Sequence, residues 1–106
     1  MHRTLIVARM DPRHTSRVAR IFDESDRTDL PHLIGVAQRT LFTFHGLYFH
    51  LVDATKDVAE SAPIRRNHPL FADVSTRLNE FITPYDPGWE KPQDAMAQPF
   101  YNWRPS

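Results

Sequence analysis

The chain of 106 residues contains no cysteine, which excludes disulfides and metal sites built on thiolates. Neither sign of charge is in excess, since 13 Lys and Arg face 13 Asp and Glu, and there is no basic block, so we expect no nucleic-acid or anionic-membrane partner. The apolar run between Arg3 and Arg9 is far too short for a signal sequence or a membrane span. We therefore predict a cytoplasmic protein.

Several sequence motifs with a known chemistry are also missing. The chain has no G-x-G-x-x-G, P-loop or G-x-S-x-G motif, which removes sequence support for nucleotide binding and for serine-hydrolase chemistry. No H-x-x-x-H pair or facial triad occurs within one predicted element, so we predict no metal. The length and an apolar content of 41% predict a single domain, residues 1–106, with one core of modest size.

The stretch richest in strand-forming residues, Gly35 to Asp53, predicts a β-hairpin. Its two apolar runs, Val36 to Phe44 and Leu47 to Val52, are separated only by His45-Gly46, and a two-residue loop with Gly matches the twist of paired strands. This loop places Phe44 opposite Leu47 and thereby sets the register. One face of the hairpin then carries Arg39, Leu41, Thr43, Tyr48, His50 and Val52. The other, mostly apolar, carries Val36, Thr40, Phe42, Phe44, Leu47, Phe49 and Leu51.

The chain before the hairpin predicts a strand and a helix. Thr4 to Met10 is β-branched and apolar without Gly or Pro, which is typical of a buried strand. Asp11-Pro12 resembles a helix N-cap and first helical position, and an apolar stripe that includes Val18 and Phe22 indicates a helix to about Ser25. The segment from Asp29 to Gly35 is predicted to be a connector.

The chain after the hairpin predicts a second helix and a final strand. The polar segment from Thr55 to Ala62 has room for two helical turns before Pro63, and Arg65-Arg66 is interpreted as a solvated connector. An amphipathic pattern predicts a helix from Pro69 to about Ile82. The prolines between Thr83 and Gln93 indicate a loop, and Met96 to Trp103 predicts an edge strand that contains Pro99.

The resulting order of elements is βαββαβ, which predicts an α+β, ferredoxin-like fold with an antiparallel sheet and both helices on one of its faces. The residues expected on the other face are apolar, so a lone copy would expose a large hydrophobic patch. We therefore predict a homodimer of the dimeric α/β-barrel type, packed sheet against sheet or against the aromatic tail. Trp89, Phe100, Tyr101 and Trp103 serve that contact in this interpretation, while stacking on a flat ligand is the alternative.

Asp26, Arg39 and His50 are directed to one place by two independent patterns. Asp26 follows Phe22 by one helical turn at the end of the apolar stripe, and Arg39 and His50 are diagonal neighbours on the same hairpin face. A structural ion pair with a core histidine beside it would produce the same pattern. However, charge on a covered face must be paired and hydrogen-bonded, and that cost favours a functional site.

Five segments together resemble the tetracenomycin-type aromatic polyketide cyclase family. They are LIVARMDP, the D-x-T-x-L-P of residues 26–31, the hairpin LFTFHGLYFHL, NHPLF, and the tail ITPYDPGWEKPQDAMAQPFYNW. The resemblance spans nearly the whole chain in order and spacing. It implies a cofactor-free homodimer that acts after a type II polyketide synthase and closes later rings of an aromatic polyketide by aldol condensation and dehydration.

The resemblance also implies roles for individual residues. The acid–base residues of the family fall on Asp26, Arg39 and His50, and we add Ser25 and Tyr48 as substrate-binding residues. Where the family has a histidine before the aspartate, this chain has Ser25, a hydroxyl that cannot act as a base near neutral pH. An ordinary histidine pKa of about 6.5 suits His50 to proton transfer. The permanent charge of Arg39 suits it to an oxyanion.

Two other functions are compatible with the same sequence. A cofactor-free monooxygenase of polyphenol intermediates would share the ferredoxin-like dimer and the class of ligand. A non-catalytic ligand-binding dimer would use the same residues for affinity alone.

Overall fold

The fold is organised around a four-stranded antiparallel sheet. A computed structural model describes residues 1–106, and its strands are β1 His2–Met10, β2 Val36–Phe44, β3 Leu47–Ala54 and β4 Ile82–Thr83. The strand order is β2-β3-β1-β4, with β1 in the centre between β3 and β4. The predicted ferredoxin-like α+β arrangement is confirmed.

Four helices connect these strands. They are α1 Thr15–Asp26, α2 Leu30–Ile34, α3 Val58–Asn67 and α4 Pro69–Leu78. Short 3₁₀ helices cover Pro12–His14 before α1 and Pro92–Ala95 in the tail. The predicted N-cap at Asp11 is confirmed, because its carboxylate accepts a hydrogen bond from the backbone N–H of Arg13 at 2.9 Å. None of the helices is long and apolar enough to cross a membrane.

The hairpin has the predicted register. Phe44 pairs with Leu47, Leu41 lies opposite His50 and Arg39 lies opposite Val52. The turn residues His45 and Gly46 have φ angles of 50° and 79°, the left-handed pair that a tight two-residue hairpin loop requires. The turn chemistry thus fixes which side chains of β2 and β3 share a face.

A register shift between Val36 and Gln38 interrupts the alternation of β2 near its start. Val36 therefore lines the same cavity as Arg39, whereas the sequence predicted it on the opposite face. An irregularity of this kind adds a residue on one strand, so every side chain before it changes face. The regular alternation of strand residues in the sequence of β2 did not predict this register shift.

The fourth strand is not where the sequence predicted it. The second helix ends at Leu78 instead of Ile82, and Ile82–Thr83 pairs with the Arg9–Met10 end of β1. In the segment predicted as a strand, Met96 forms a single bridge to Ile6, and the rest is irregular. Pro99 cannot donate to a ladder, which limits pairing in the tail.

Two segments predicted as connectors are helical. Residues 30–34 form α2, which tolerates Pro31 in its first turn and ends at Gly35 in the left-handed region, φ 87°. Helix α3 continues through Pro63, since a capping box between Asp57 and Glu60 stabilises its first turn. Arg65 and Arg66 consequently lie on a helix and not on a solvated connector.

The core lies between the helices and one face of the sheet. One buried cluster joins β1, α1 and β3 and comprises Ala8, Met10, Val18, Phe22 and Tyr48. A second joins α1, α2 and α4 and comprises Ile21, Leu30 and Val74. The opposite sheet face has no helix on it, and Phe42 and Phe44 there are 49% and 61% exposed.

The two left-handed glycines provide a stability test with an internal control. A Cβ on Gly35 would lie 2.8 Å from Thr55 Oγ1, whereas a Cβ on Gly46 would meet nothing within 4 Å. Gly46→Ala should cost about 1–2 kcal/mol of unfolding free energy through backbone strain alone. Gly35→Ala should cost more, because the steric overlap adds to that strain. Urea unfolding of both variants measures the difference, and equal losses would contradict this account.

Candidate active site

A largely apolar cavity of about 670 Å³ lies between the helices and the covered face of the sheet. Its floor is the inward row of β1 and β3, which includes Ile6, Ala8, Tyr48, His50, Val52 and Ala54. Helices α3 and α4 contribute Val58, Ala62, Phe71 and Val74 to its walls. A cavity of this size and polarity is typical of a site for a small organic ligand.

The guanidinium of Arg39 joins the predicted trio at this cavity. Its Nε and Nη2 donate to the two carboxylate oxygens of Asp26 at 3.0 and 2.8 Å. Its Nη1 lies 3.2 Å from Nε2 of His50. The strand register places Arg39 diagonally across from His50, and α1 ends at Asp26 directly beside it. The proximity of these three side chains, expected from helix and strand phase, is therefore observed.

The contact with Arg39 fixes the tautomer of His50. A guanidinium only donates hydrogen bonds, so Nε2 must be the acceptor and the ring proton must lie on Nδ1. His50 forms no other side-chain hydrogen bond, and no fully buried side-chain polar atom in the protein lacks a partner. Nδ1 therefore has solvent access, and it gains that access through the cavity that His50 lines.

Burial and, to a smaller extent, the nearby charge of Arg39 together lower the pKa of His50 to about 4. One side of the ring packs edge-on against Phe22 at 5.2 Å between centroids. The sequence suggested an ordinary pKa near neutrality for His50, and this expectation is wrong. The imidazole is neutral at physiological pH.

The other predicted site residues differ in their access to the cavity. Ser25 and Tyr48 both line it, and the Tyr48 hydroxyl has no partner within the protein. Burial raises the pKa of Tyr48, so this phenol stays protonated and can donate a hydrogen bond. Asp26 does not line the cavity, and both of its oxygens face Arg39. Asp26 is therefore linked to the cavity only through the guanidinium of Arg39.

Known proteins match this chain over almost all of its length. The family model for polyketide synthesis cyclases matches residues 2–104. The chain belongs to the polyketide synthesis cyclase family. Tetracenomycin F2 cyclase of Streptomyces glaucescens is 46% identical over 102 residues, which cover 96% of this chain and 94% of that one. An uncharacterized protein of Streptomyces coelicolor is 48% identical over 105 residues, covering 97% and 95%.

The fold of this family member agrees with a solved structure. Tetracenomycin F2 cyclase from Streptomyces glaucescens, a type II polyketide cyclase, superposes with a TM-score of 0.91 at 44% identity, and each chain is fully covered. The family resemblance drawn from the five sequence segments is therefore confirmed.

Sequence reasoning missed the residues that α3 contributes to the cavity. Ser61, Arg65 and Arg66 of α3 line it together with Lys56, which precedes the helix. Arg65, predicted to be solvated, is half-buried, whereas Arg66 is exposed. The signal was present as the D-x-x-E pattern of Asp57 and Glu60, which marks a helix start. A helix from that point places Ser61 and Arg65 on one side, because residues four apart are neighbours.

The neutral state of His50 predicts a pH dependence of stability. The unfolded imidazole binds a proton below pH 6.5, whereas the folded one binds it only near pH 4. The free energy of unfolding should therefore fall as pH decreases through this window, by up to about 3 kcal/mol. Urea unfolding at several pH values between 7 and 4 measures this fall in the free energy of unfolding. His50→Gln should flatten the profile and His45→Asn, at the exposed turn, should not; a flat wild-type profile would refute the assignment.

Proposed function

We propose that this protein closes a ring of an aromatic polyketide intermediate in type II polyketide biosynthesis, by intramolecular aldol condensation and dehydration without a cofactor. The observation that carries the proposal is the 3.2 Å contact between Arg39 Nη1 and His50 Nε2 at an otherwise largely apolar cavity. A permanent cation beside a neutral imidazole provides an oxyanion partner and a proton carrier, which are the groups an aldol reaction needs.

The cavity supports this substrate class by its shape and its lining. An apolar slot of about 670 Å³ restricts a flexible polyketide to folded conformers in which the reacting carbons meet. Much of the rate enhancement then comes from orientation, which needs no titrating group.

Ring closure begins when a substrate carbonyl oxygen replaces His50 Nε2 as the acceptor of the Arg39 Nη1–H. The guanidinium then stabilises the negative charge of the enolate oxygen, and it cannot lose its own proton. The same exchange releases the Nε2 lone pair, which takes the proton from the carbon between two carbonyl groups. His50 becomes an imidazolium at this step.

Carbon–carbon bond formation and water loss complete the reaction. The enolate carbon attacks the second carbonyl carbon, and the resulting alkoxide takes the proton from His50. A pKa of about 4 makes the imidazolium a strong proton donor. Dehydration repeats the cycle, since Nε2 removes a second α-proton and returns it to the departing hydroxyl. The net change is the loss of one water, and the enzyme regains its starting protonation state.

The remaining site residues orient these groups in the proposal. Asp26 holds the guanidinium in a bidentate pair and so aims the free Nη1 at the cavity. Tyr48 donates a hydrogen bond to a substrate oxygen, and Ser25 orients substrate or water at the position where the family resemblance implies a histidine. Arg39 and His50 are the groups that contact the reacting atoms.

We also propose that the protein is a homodimer formed through the outer face of the sheet. Phe42 and Phe44 are about half exposed there, and Phe100, Tyr101 and Trp103 of the tail are 100%, 80% and 68% exposed. Exposed large aromatic side chains of this kind mark surfaces that contact another protein, and covering them removes apolar surface from water.

Incubation of the purified protein with a partly cyclised aromatic polyketide tests the proposed activity. We expect mass spectrometry to show the loss of one water, without added metal or nucleotide. A gain of oxygen would instead indicate a monooxygenase, and an unchanged ligand would indicate a binding protein.

Variants of the two central residues refine that test. His50→Gln should lower kcat by roughly 10²-fold or more, because proton transfer is lost while the hydrogen bond to Arg39 remains possible. Arg39→Lys should also lower kcat, since a lysine ammonium cannot donate two parallel hydrogen bonds to Asp26 and a further one to the substrate. Arg77→Lys is the matched control, because Arg77 pairs with Glu24 at 2.6 Å and does not line the cavity.

The proposed dimer predicts a change of mass in solution. Phe42→Lys combined with Phe100→Lys should shift the protein from dimer to monomer in analytical ultracentrifugation, because each buried ammonium would lack a partner. Ala72→Lys, at an exposed position of α4, should remain dimeric. A wild-type protein that sediments as a monomer at micromolar concentration would rule out the proposed contact.

A further inference from the structure

The ionic side chains that line the cavity carry one sign of charge. Arg39, Lys56, Arg65 and Arg66 line it, and no Asp or Glu does. This contrasts with the whole chain, in which 13 basic residues balance 13 acidic ones. Asp26 compensates Arg39 from beside the cavity, so the positive charge without a partner belongs to Lys56 and the two arginines of α3.

Arg65 is half-buried and has only neutral partners. Its Nε donates to Ser61 Oγ at 3.2 Å and its Nη2 donates to the carbonyl oxygen of Val58. It forms no ion pair, in contrast to Arg3, Arg13, Arg27, Arg39 and Arg77. A guanidinium has five N–H donors, so Arg65 retains donors for a ligand. Removing such a charge from water without an anion is costly, which makes the site receptive to one.

The neutral contacts of Arg65 hold its side chain in place before any ligand binds. Ser61 is buried to 5% exposure, and its hydroxyl donates to the same Val58 carbonyl. The guanidinium is therefore anchored at two points on its own helix, and little side-chain entropy remains to be lost on binding.

Arg65 reaches the cavity from α3, whereas Arg39 and His50 reach it from strands β2 and β3. The floor runs along β3 from His50 to Ala54, roughly 13 Å at the rise of a strand. Helix α3 follows directly on that end of β3 and contacts α2 and α4. A ligand that contacts both groups therefore bridges α3 and the hairpin strands.

We infer that Arg65, with Lys56 and Arg66 at the rim, forms a subsite for a carboxylate carried by the polyketide. The inference rests on the proposed function and specifies how the bound substrate is oriented in the cavity. The carboxylate lies at α3, and the carbons that react lie at Arg39 and His50. The planar fork of Arg65 suits two-oxygen recognition of a carboxylate.

Binding of two tricyclic probes tests the subsite without any turnover. Anthraquinone-2-carboxylate and its methyl ester share the flat ring system and differ in charge. By calorimetric titration at pH 7.5, wild-type protein should bind the carboxylate about 10-fold or more tightly than the ester, as expected for a charge-assisted hydrogen bond. Arg65→Met should remove this preference and leave ester affinity unchanged. Arg77→Met should keep it, because Arg77 does not line the cavity.

Arg39→Met distinguishes the two cationic groups of the cavity. The carboxylate preference should survive this substitution if Arg65 holds the anion. A preference that disappears in Arg39→Met and persists in Arg65→Met would overturn the inference, as would equal affinity of the two probes for wild-type protein. If Arg65→Met fails to fold, Arg65→Gln takes its place, with ester binding as the check on an intact cavity. Either failure leaves the cyclase assay unaffected, so the proposed activity is judged separately.

Discussion

The arrangement of the site depends on the hydrogen bonds that the guanidinium of Arg39 donates to Asp26 and His50. One half-buried guanidinium binds a carboxylate at the end of α1 and an imidazole in the middle of β3. A buried cation must be paired, and here the pairing also joins the helical layer to the sheet. Because arginine cannot give up its proton, the contact dictates which nitrogen of His50 is protonated. The same three hydrogen bonds thus join α1 to the sheet and determine which nitrogen of His50 is protonated.

The environment of His50 decides what kind of acid or base it can be. Phe22 and Tyr48 surround the ring, and a cation lies at hydrogen-bond distance, so both burial and charge favour the neutral form. A neutral imidazole is a weak base whose conjugate acid gives up its proton readily. These properties suit the proposed reaction, which moves a proton from carbon to oxygen and ends in loss of water.

Local turn chemistry made the hairpin predictable, and non-local pairing made the fourth strand unpredictable. His45-Gly46 admits only one tight connection, so the register and the shared face of Arg39 and His50 follow from the chain itself. A strand of two residues, Ile82–Thr83, has no periodicity to detect, and it exists because the edge of β1 is available. The course of α3 through Pro63 was missed for a related reason, since proline is a strong local signal against a helix and the capping box outweighed it.

The family, the ferredoxin-like order of elements, and the proximity of Asp26, Arg39 and His50 follow from the amino-acid sequence alone. Those features depend on residue spacing along a helix and across a hairpin, which is local information. The three-dimensional contacts were needed to establish the protonation state of His50, the position of Asp26 behind Arg39, and the basic lining that α3 gives the cavity. These depend on burial and on contacts between distant segments, and the free energy of a charge is set by its surroundings rather than by its neighbours in sequence.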